Sequence, residues 1–266
     1  MPLTTLRDGR TLAWSEGGDP EGTPVLFFHG CPDTRRAAWS GYAAARAAGV
    51  RLVAANRPGY GASTPAPASY RRVVDDAAEL ADSLGIDRFG VLGMSVGGTF
   101  ALACASLLPE RVTTAAVVAT PGETPDLPLD QVRPEFLEYR AAIDPEDPDD
   151  AGLAARWLAE LPADDRSLVD GPAAEVAAAA REAILVPDGY LADVSLLFGP
   201  WPLGLADVGC SVRLWYGDQD THAPAHHGTW LAARLPHATL DVLPGQGHLG
   251  SLMRSWDRIL AGFTER

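Results

Sequence analysis

Runs of apolar residues of strand length recur along the chain, at Pro24 to His29, Val50 to Ala55, Phe89 to Met94 and Val112 to Ala119. A run that does not alternate with polar residues reads as a strand buried on both faces. Two later segments, Ser211 to Gly217 and Ala238 to Leu243, read as strands of the same series. Between the runs the period changes. Val73, Val74, Ala77, Ala78, Leu80, Ala81 and Leu84 repeat at helical spacing from Tyr70 to Leu84, and Gly85 stops that helix. Further helices are predicted around Trp39 to Ala48, ended by Gly49, over Thr99 to Leu108, from about Ala225 to Leu235, and over Leu249 to Thr264. At the start, Leu3 to Leu6 and Thr11 to Glu16 flank Asp8-Gly9, the signature of a β-hairpin. Strands alternating with helices predict an α/β fold with a mostly parallel, doubly wound sheet.

The alternation stops at Gly122. Pro125, Pro128, Pro134, Pro145 and Pro148 punctuate helix-prone pieces such as Asp150 to Leu161 and Ala173 to Leu185, and the strand rhythm returns only at Ser211. The expected organisation is a core of residues 1–121 and 202–266 carrying a helical cap inserted over residues 122–201. Charge follows the same division. Residues 122–200 hold 18 Asp and Glu against 5 Arg, a net of −13, while the remainder holds 17 against 16, a net of −1. A formal net charge of −14 argues against nucleic acid or an anionic membrane surface as a partner. All 21 basic residues are arginine, because the chain contains no lysine.

With 266 residues, 47% of them hydrophobic, the chain can fill one core with a modest insertion. No apolar run is long enough to span a bilayer, and Met1 to Asp8 lacks a basic stretch followed by an apolar one, so the expected location is cytoplasmic. Cys31, Cys104 and Cys210 are widely spaced and odd in number, which predicts free thiols, most of them buried.

The candidate chemistry begins at Gly93-Met94-Ser95-Val96-Gly97, where a strand gives way to a helix. Glycines on either side of Ser95 leave room for a strained turn that lifts the hydroxyl clear of the sheet. A serine hydroxyl is a weak nucleophile until a base takes its proton and an acid orients that base. In doubly wound sheets reactive groups gather beyond the carboxyl ends of the strands, which selects Asp218, Asp220, His222 and His248. His226, His227 and His237 lie on or near a helix and read as surface residues.

Five motifs, in order, resemble those of the α/β-hydrolase superfamily over most of the chain. His29-Gly30-Cys31-Pro32 resembles its His-Gly-x-Pro oxyanion loop, and Asn56 to Ser63 its Asp-x-Pro-Gly-x-Gly-x-Ser turn. Gly93 to Gly97 resembles its nucleophile elbow, Gly217 to Asp220 its Gly-x-x-Asp acid loop, and Gly247-His248 its histidine loop. The resemblance implies Ser95 as nucleophile, His248 as base and Asp220 as acid, with the backbone N–H groups of Cys31 and Val96 as oxyanion hole. It implies the α/β-hydrolase fold, a small-molecule substrate, and no metal or cofactor; monomer and homodimer both stay open. The expected reaction is hydrolysis of a small neutral carboxylic ester or lactone through an acyl-enzyme. Amide hydrolysis, N-terminal proline release, C–C bond hydrolysis, cofactor-free haloperoxidase chemistry and ligand binding without turnover are the alternatives. Asn56 stands where the family has aspartate, which puts an ion pair between that position and Arg57 in doubt. Candidates for substrate contact are His29, Trp39, Met94, Trp157, Tyr190, Phe198 and Trp201.

Overall fold

The apolar runs become the strands of a single sheet in the computed structural model, which describes residues 2–122 and 129–265. In chain order they are β1 (Leu3–Thr5), β2 (Thr11–Gly18), β3 (Thr23–Phe28), β4 (Val50–Ala55), β5 (Phe89–Met94), β6 (Val112–Val118), β7 (Ser211–Gly217) and β8 (Ala238–Leu243). Across the sheet the order is β1-β2-β4-β3-β5-β6-β7-β8. β1 and β2 pair antiparallel, β2 joins β4 antiparallel, and every later pair is parallel. Each central strand divides its side chains between the two faces. Leu26 and Phe28 enter one apolar cluster with α2 (Tyr70–Ser83), α3 (Gly97–Leu107) and α9 (His226–Ala232). Val25 and Phe27 enter the other with α1 (Tyr42–Ala47), α10 (Gly250–Met253) and α11 (Trp256–Ala261). That two-sided burial is why these runs do not alternate.

Two elements and the cysteines differ from expectation. The first helix begins as a 3₁₀ segment at Arg35–Gly41, before α1. The terminal helix is two, because Ser255 adopts φ −125° and ψ 7° between α10 and α11. Of the three free cysteines only Cys104 is buried, while Cys31 and Cys210 are partly exposed.

Between β6 and β7 lies the helical insertion, comprising α4 (Leu129–Ile143), α5 (Asp150–Ala159), α6 (Ala163–Arg166), α7 (Ala173–Ile184) and α8 (Asp188–Leu197). Pro125 and Pro128 lie outside the described residues. The insertion has its own apolar cluster, in which Ala177, Ala180 and Ile184 of α7 meet Leu153 of α5 and Phe136 and Ile143 of α4. Small side chains at that spacing line one face of α7 and let its neighbours approach.

Buried ion pairs fasten the insertion to the sheet. Arg57 donates through Nε to Asp193 Oδ1 at 3.0 Å and through Nη2 to Oδ2 at 2.6 Å, and the Tyr60 hydroxyl donates to that second oxygen at 2.7 Å. Glu182 accepts from Arg36 Nε and from Asn56 Nδ2, both at 2.6 Å, and also pairs with Arg35. The acid that Arg57 meets therefore comes from α8, 136 residues away, and Asn56 instead bridges Glu182 and the Arg35 N–H. Burial alone would lower the Arg57 pKa; the charge and hydrogen bonds of Asp193 outweigh it and hold the guanidinium above its ordinary value. Asp193→Ala is expected to cost about 3–5 kcal/mol, because Arg57 stays buried without a counter-charge. Urea denaturation at pH 7 checks it, and a loss within 1 kcal/mol of zero would show that Arg57 finds another partner.

Candidate active site

Ser95 follows the last residue of β5 with φ +54°, in the left-handed region that favours glycine. A non-glycine residue there costs roughly 1–3 kcal/mol and is held by its surroundings. The Ser95 N–H donates to Val118 O at 2.8 Å, and its carbonyl accepts from Gly98 N at 3.0 Å. Gly93 and Gly97 make the turn possible: a Cβ on the first would overlap the Gly97 carbonyl, and one on the second the Phe28 carbonyl. Gly30 abuts the same turn, since a Cβ there would lie 3.5 Å from the Ser95 Cβ. Among the described residues the backbone N–H groups of Cys31 and Val96 donate to no other group.

His248 follows β8, and its Nδ1 donates to Asp220 Oδ2 at 2.8 Å. Asp220 is 4% exposed, and its Oδ1 accepts the N–H groups of His222 (2.8 Å) and Ala223 (2.9 Å). Burial pushes this carboxyl up, but the His248 bond and charge and the two N–H donors outweigh burial and hold it below the ordinary aspartate range. Asp218 does a different job: its exposed Oδ1 accepts from Gly245 N at 2.7 Å and closes the loop before His248.

A cavity of about 480 Å³ brings these groups together. Its core side carries Gly30, Cys31, Met94, Ser95, His222 and His248. The insertion contributes Phe136, Tyr139, Trp157 and Tyr190, with Phe136 and Tyr190 stacked at 3.9 Å between ring centroids. Asp33, Glu135, Glu160 and Asp165 also line it, and no arginine does so among the described residues. Burial pushes the Asp33 carboxyl up to about 6, against the pull of the Thr34 N–H and of Arg57. In such an enclosure a serine, a carboxylate-held imidazole and unengaged N–H groups can support acyl transfer. Among the described residues the one group spaced for a metal ion is Asp220, His222 and His248, whose donor atoms lie within 4.8 Å of one another. A metal there would have to displace bonds that both Asp220 oxygens already accept.

Of the candidates for substrate contact, Met94, Trp157 and Tyr190 line the cavity and four others do not. His29 is fully buried beneath the loop: its Nδ1 donates to Gly30 O at 2.8 Å and its Nε2 accepts from Arg57 N at 3.2 Å. Burial, then the charge of Arg57, lowers its pKa well below the ordinary histidine value, so it is a neutral support of the loop. Trp39 is exposed on the 3₁₀ segment, with its indole N–H directed to Ser15 Oγ. Phe198 and Trp201 pack against the apolar cluster of the core, and Trp201 stands edge-on to Trp230. An aromatic residue in sequence carries the same signal whether it seals an interface or lines a cavity. Asp33 and Asp165 lie on the cavity without a sequence motif that marks them, whereas His222 is one of the four residues selected beyond the carboxyl ends of the strands.

A model of the alpha/beta hydrolase family matches residues 25–261. The chain is similar to the dihydrolipoyllysine-residue acetyltransferase component of the acetoin cleaving system of Pseudomonas putida, with 28% identity over 91% of this chain. It spans 62% of that relative's length. A pimeloyl-[acyl-carrier protein] methyl ester esterase of Chromobacterium violaceum is 30% identical over 77% of this chain and 79% of its own. Among solved structures, the enol-lactonase of Burkholderia xenovorans LB400 superposes with a TM-score of 0.76 at 18% identity, covering 99% of this chain and 100% of that one.

Proposed function

The chain belongs to the alpha/beta hydrolase family, and on that premise we propose that it cleaves a small carboxylic ester or lactone through an acyl-enzyme. The observation that carries this reading is the Asp220–His248 hydrogen bond, at 2.8 Å, beside the cavity that Ser95 enters on its left-handed turn. Ser95 Oγ attacks the acyl carbon while His248 Nε2 takes its proton, and Asp220 holds the imidazole in the Nδ1–H tautomer and offsets its positive charge. The N–H groups of Cys31 and Val96 hold the carbonyl oxygen as it becomes an oxyanion. Collapse of the tetrahedral intermediate expels the alcohol, which takes the proton from His248. Water then repeats the sequence, with His248 again as base, and the acid is released. The insertion serves as a cap over residues 122–201, with Met94, Trp157 and Tyr190 contacting the acyl or leaving group. The 30% identity to the methyl ester esterase of Chromobacterium violaceum supports an ester as the substrate.

Charge narrows the class. Four carboxylates and no arginine among the described lining residues disfavour an anionic substrate. A second reading, an ester or amide bearing a positive charge, is favoured by the four aromatic rings that share the cavity with those carboxylates, the surroundings in which a cation is held over ring faces. Turnover of p-nitrophenyl butyrate, of the anionic p-nitrophenyl hemisuccinate, and of butyrylcholine beside its uncharged isostere 3,3-dimethylbutyl butyrate tests both. The neutral ester should exceed the anionic one by about tenfold or more in kcat/KM, a gap that shrinks with added salt. Preference for butyrylcholine over its isostere selects the second reading, and equal rates select the first. Absence of turnover, or turnover that survives in His248→Ala, overturns the hydrolase reading in favour of ligand binding or another site.

A further inference from the structure

Asp165 is 2% exposed, belongs to the cap through α6, and reaches the loop that carries the base. Its Oδ1 accepts the backbone N–H groups of Leu249 at 3.1 Å and Gly250 at 3.2 Å, the two residues after His248. A carboxylate out of water needs such donors, and bonds to a charged acceptor are stronger than neutral ones. Gly247 makes the approach possible, since a Cβ there would lie 2.9 Å from the same oxygen. Leu168, three residues on, lies 3.7 Å from the position a Gly250 Cβ would take. The core holds the loop from the other side, through Asp218 to Gly245 N, Ser251 Oγ to Gly247 O at 2.8 Å, and Asp220 to the imidazole. Among the described residues the backbone between Gly247 and Gly250 therefore has its cap-side hydrogen bonds from one side chain.

We propose that Asp165 is a positioning residue for His248, making the docked cap part of the support that aims the imidazole at Ser95. The proposal rests on the reading of Ser95 and His248 as nucleophile and base. Without Asp165 the two N–H groups that follow His248 lose their shared acceptor, and the loop is held from the core side alone. A displacement of about 1 Å at a reacting group can cost on the order of 100-fold in rate.

In Asp165→Ala, kcat for p-nitrophenyl butyrate should fall by about 10- to 100-fold, with KM changed by less than about threefold. The rate constant for fluorophosphonate labelling of Ser95 should fall by the same factor. Asp165→Asn keeps an oxygen acceptor and should restore both to within about threefold of wild type. Amide hydrogen exchange on the Ser95→Ala background should quicken at Leu249 and Gly250 in Asp165→Ala. If that variant does not fold, Gly247→Ala, which crowds the same oxygen, must show the same fall in labelling rate. A folded Asp165→Ala that labels at the wild-type rate, or unchanged exchange at both amides, overturns the proposal alone. A wild type that takes no label removes the nucleophile reading and the proposal with it.

Discussion

Ser95→Ala is expected to lower kcat on a neutral p-nitrophenyl ester by about 10⁶-fold and to abolish labelling by a fluorophosphonate. The Cys31 thiol, which also lines the cavity, is a poor substitute: desolvation and then the Asp193 charge raise its pKa above the ordinary thiol value and disfavour the thiolate. The substitution leaves a Cβ at φ +54°, so the strain of the turn is unchanged and the thermal midpoint should stay close to wild type. Loss of turnover can then be read as chemistry and not as unfolding. KM, or the Kd for a substrate analogue, should change little, because the hydroxyl is one small group in a cavity of about 480 Å³. A folded wild type that resists the probe overturns the assignment.

Asp220→Asn should cost on the order of 10⁴-fold in kcat, while Asp218→Asn should stay within a few-fold of wild type. The reason lies in the two ends of the carboxylate. Oδ1 accepts two backbone N–H groups, from His222 and Ala223, which fixes the oxygen of a substituted amide at that end. The amide NH₂ must then face His248 Nδ1 and force the proton onto Nε2, leaving the imidazole unable to accept from Ser95. Steady-state kinetics of both variants from pH 5 to 9 decide it, and equal activity would move the acid away from Asp220. The same carboxylate contributes to stability at neutral pH and stops doing so in acid. Its folded pKa lies below the unfolded value of about 3.9, so its contribution is present above that value and disappears as pH falls through the depressed one.

β4 and β5 are legible because two-sided burial writes itself as uninterrupted apolar runs; β7 and β8 also match the predicted spans at both ends, although β8, at the sheet edge, carries Thr239 and Asp241 between its apolar residues. The turn at Ser95 was legible because steric crowding there admits only glycine at Gly93 and Gly97. Preference for Asp220 over Asp218 came from motif position, and the geometry gives each aspartate its own partner, His248 and Gly245. What escaped the sequence depends on contacts between distant segments. Arg57 marks itself as a buried cation only once Asp193 is folded against it, and nothing near Asp165 points to Leu249 and Gly250. The break at Ser255 escaped for another reason, since a serine carries too little preference to interrupt a helical pattern by itself.

The two ion-pair clusters also limit how the cap can be exchanged. A cap grafted from another chain would meet Arg35 and Arg57 already buried in the core, with Arg57 donating to the carbonyls of His29 and Gly30 as well as to Asp193. A donor segment lacking carboxylates at the places of Glu182 and Asp193 would leave those cations unmatched. Cap-swap chimeras should therefore fold when the acids travel with the cap or the arginines are replaced together with it, however well the apolar faces fit.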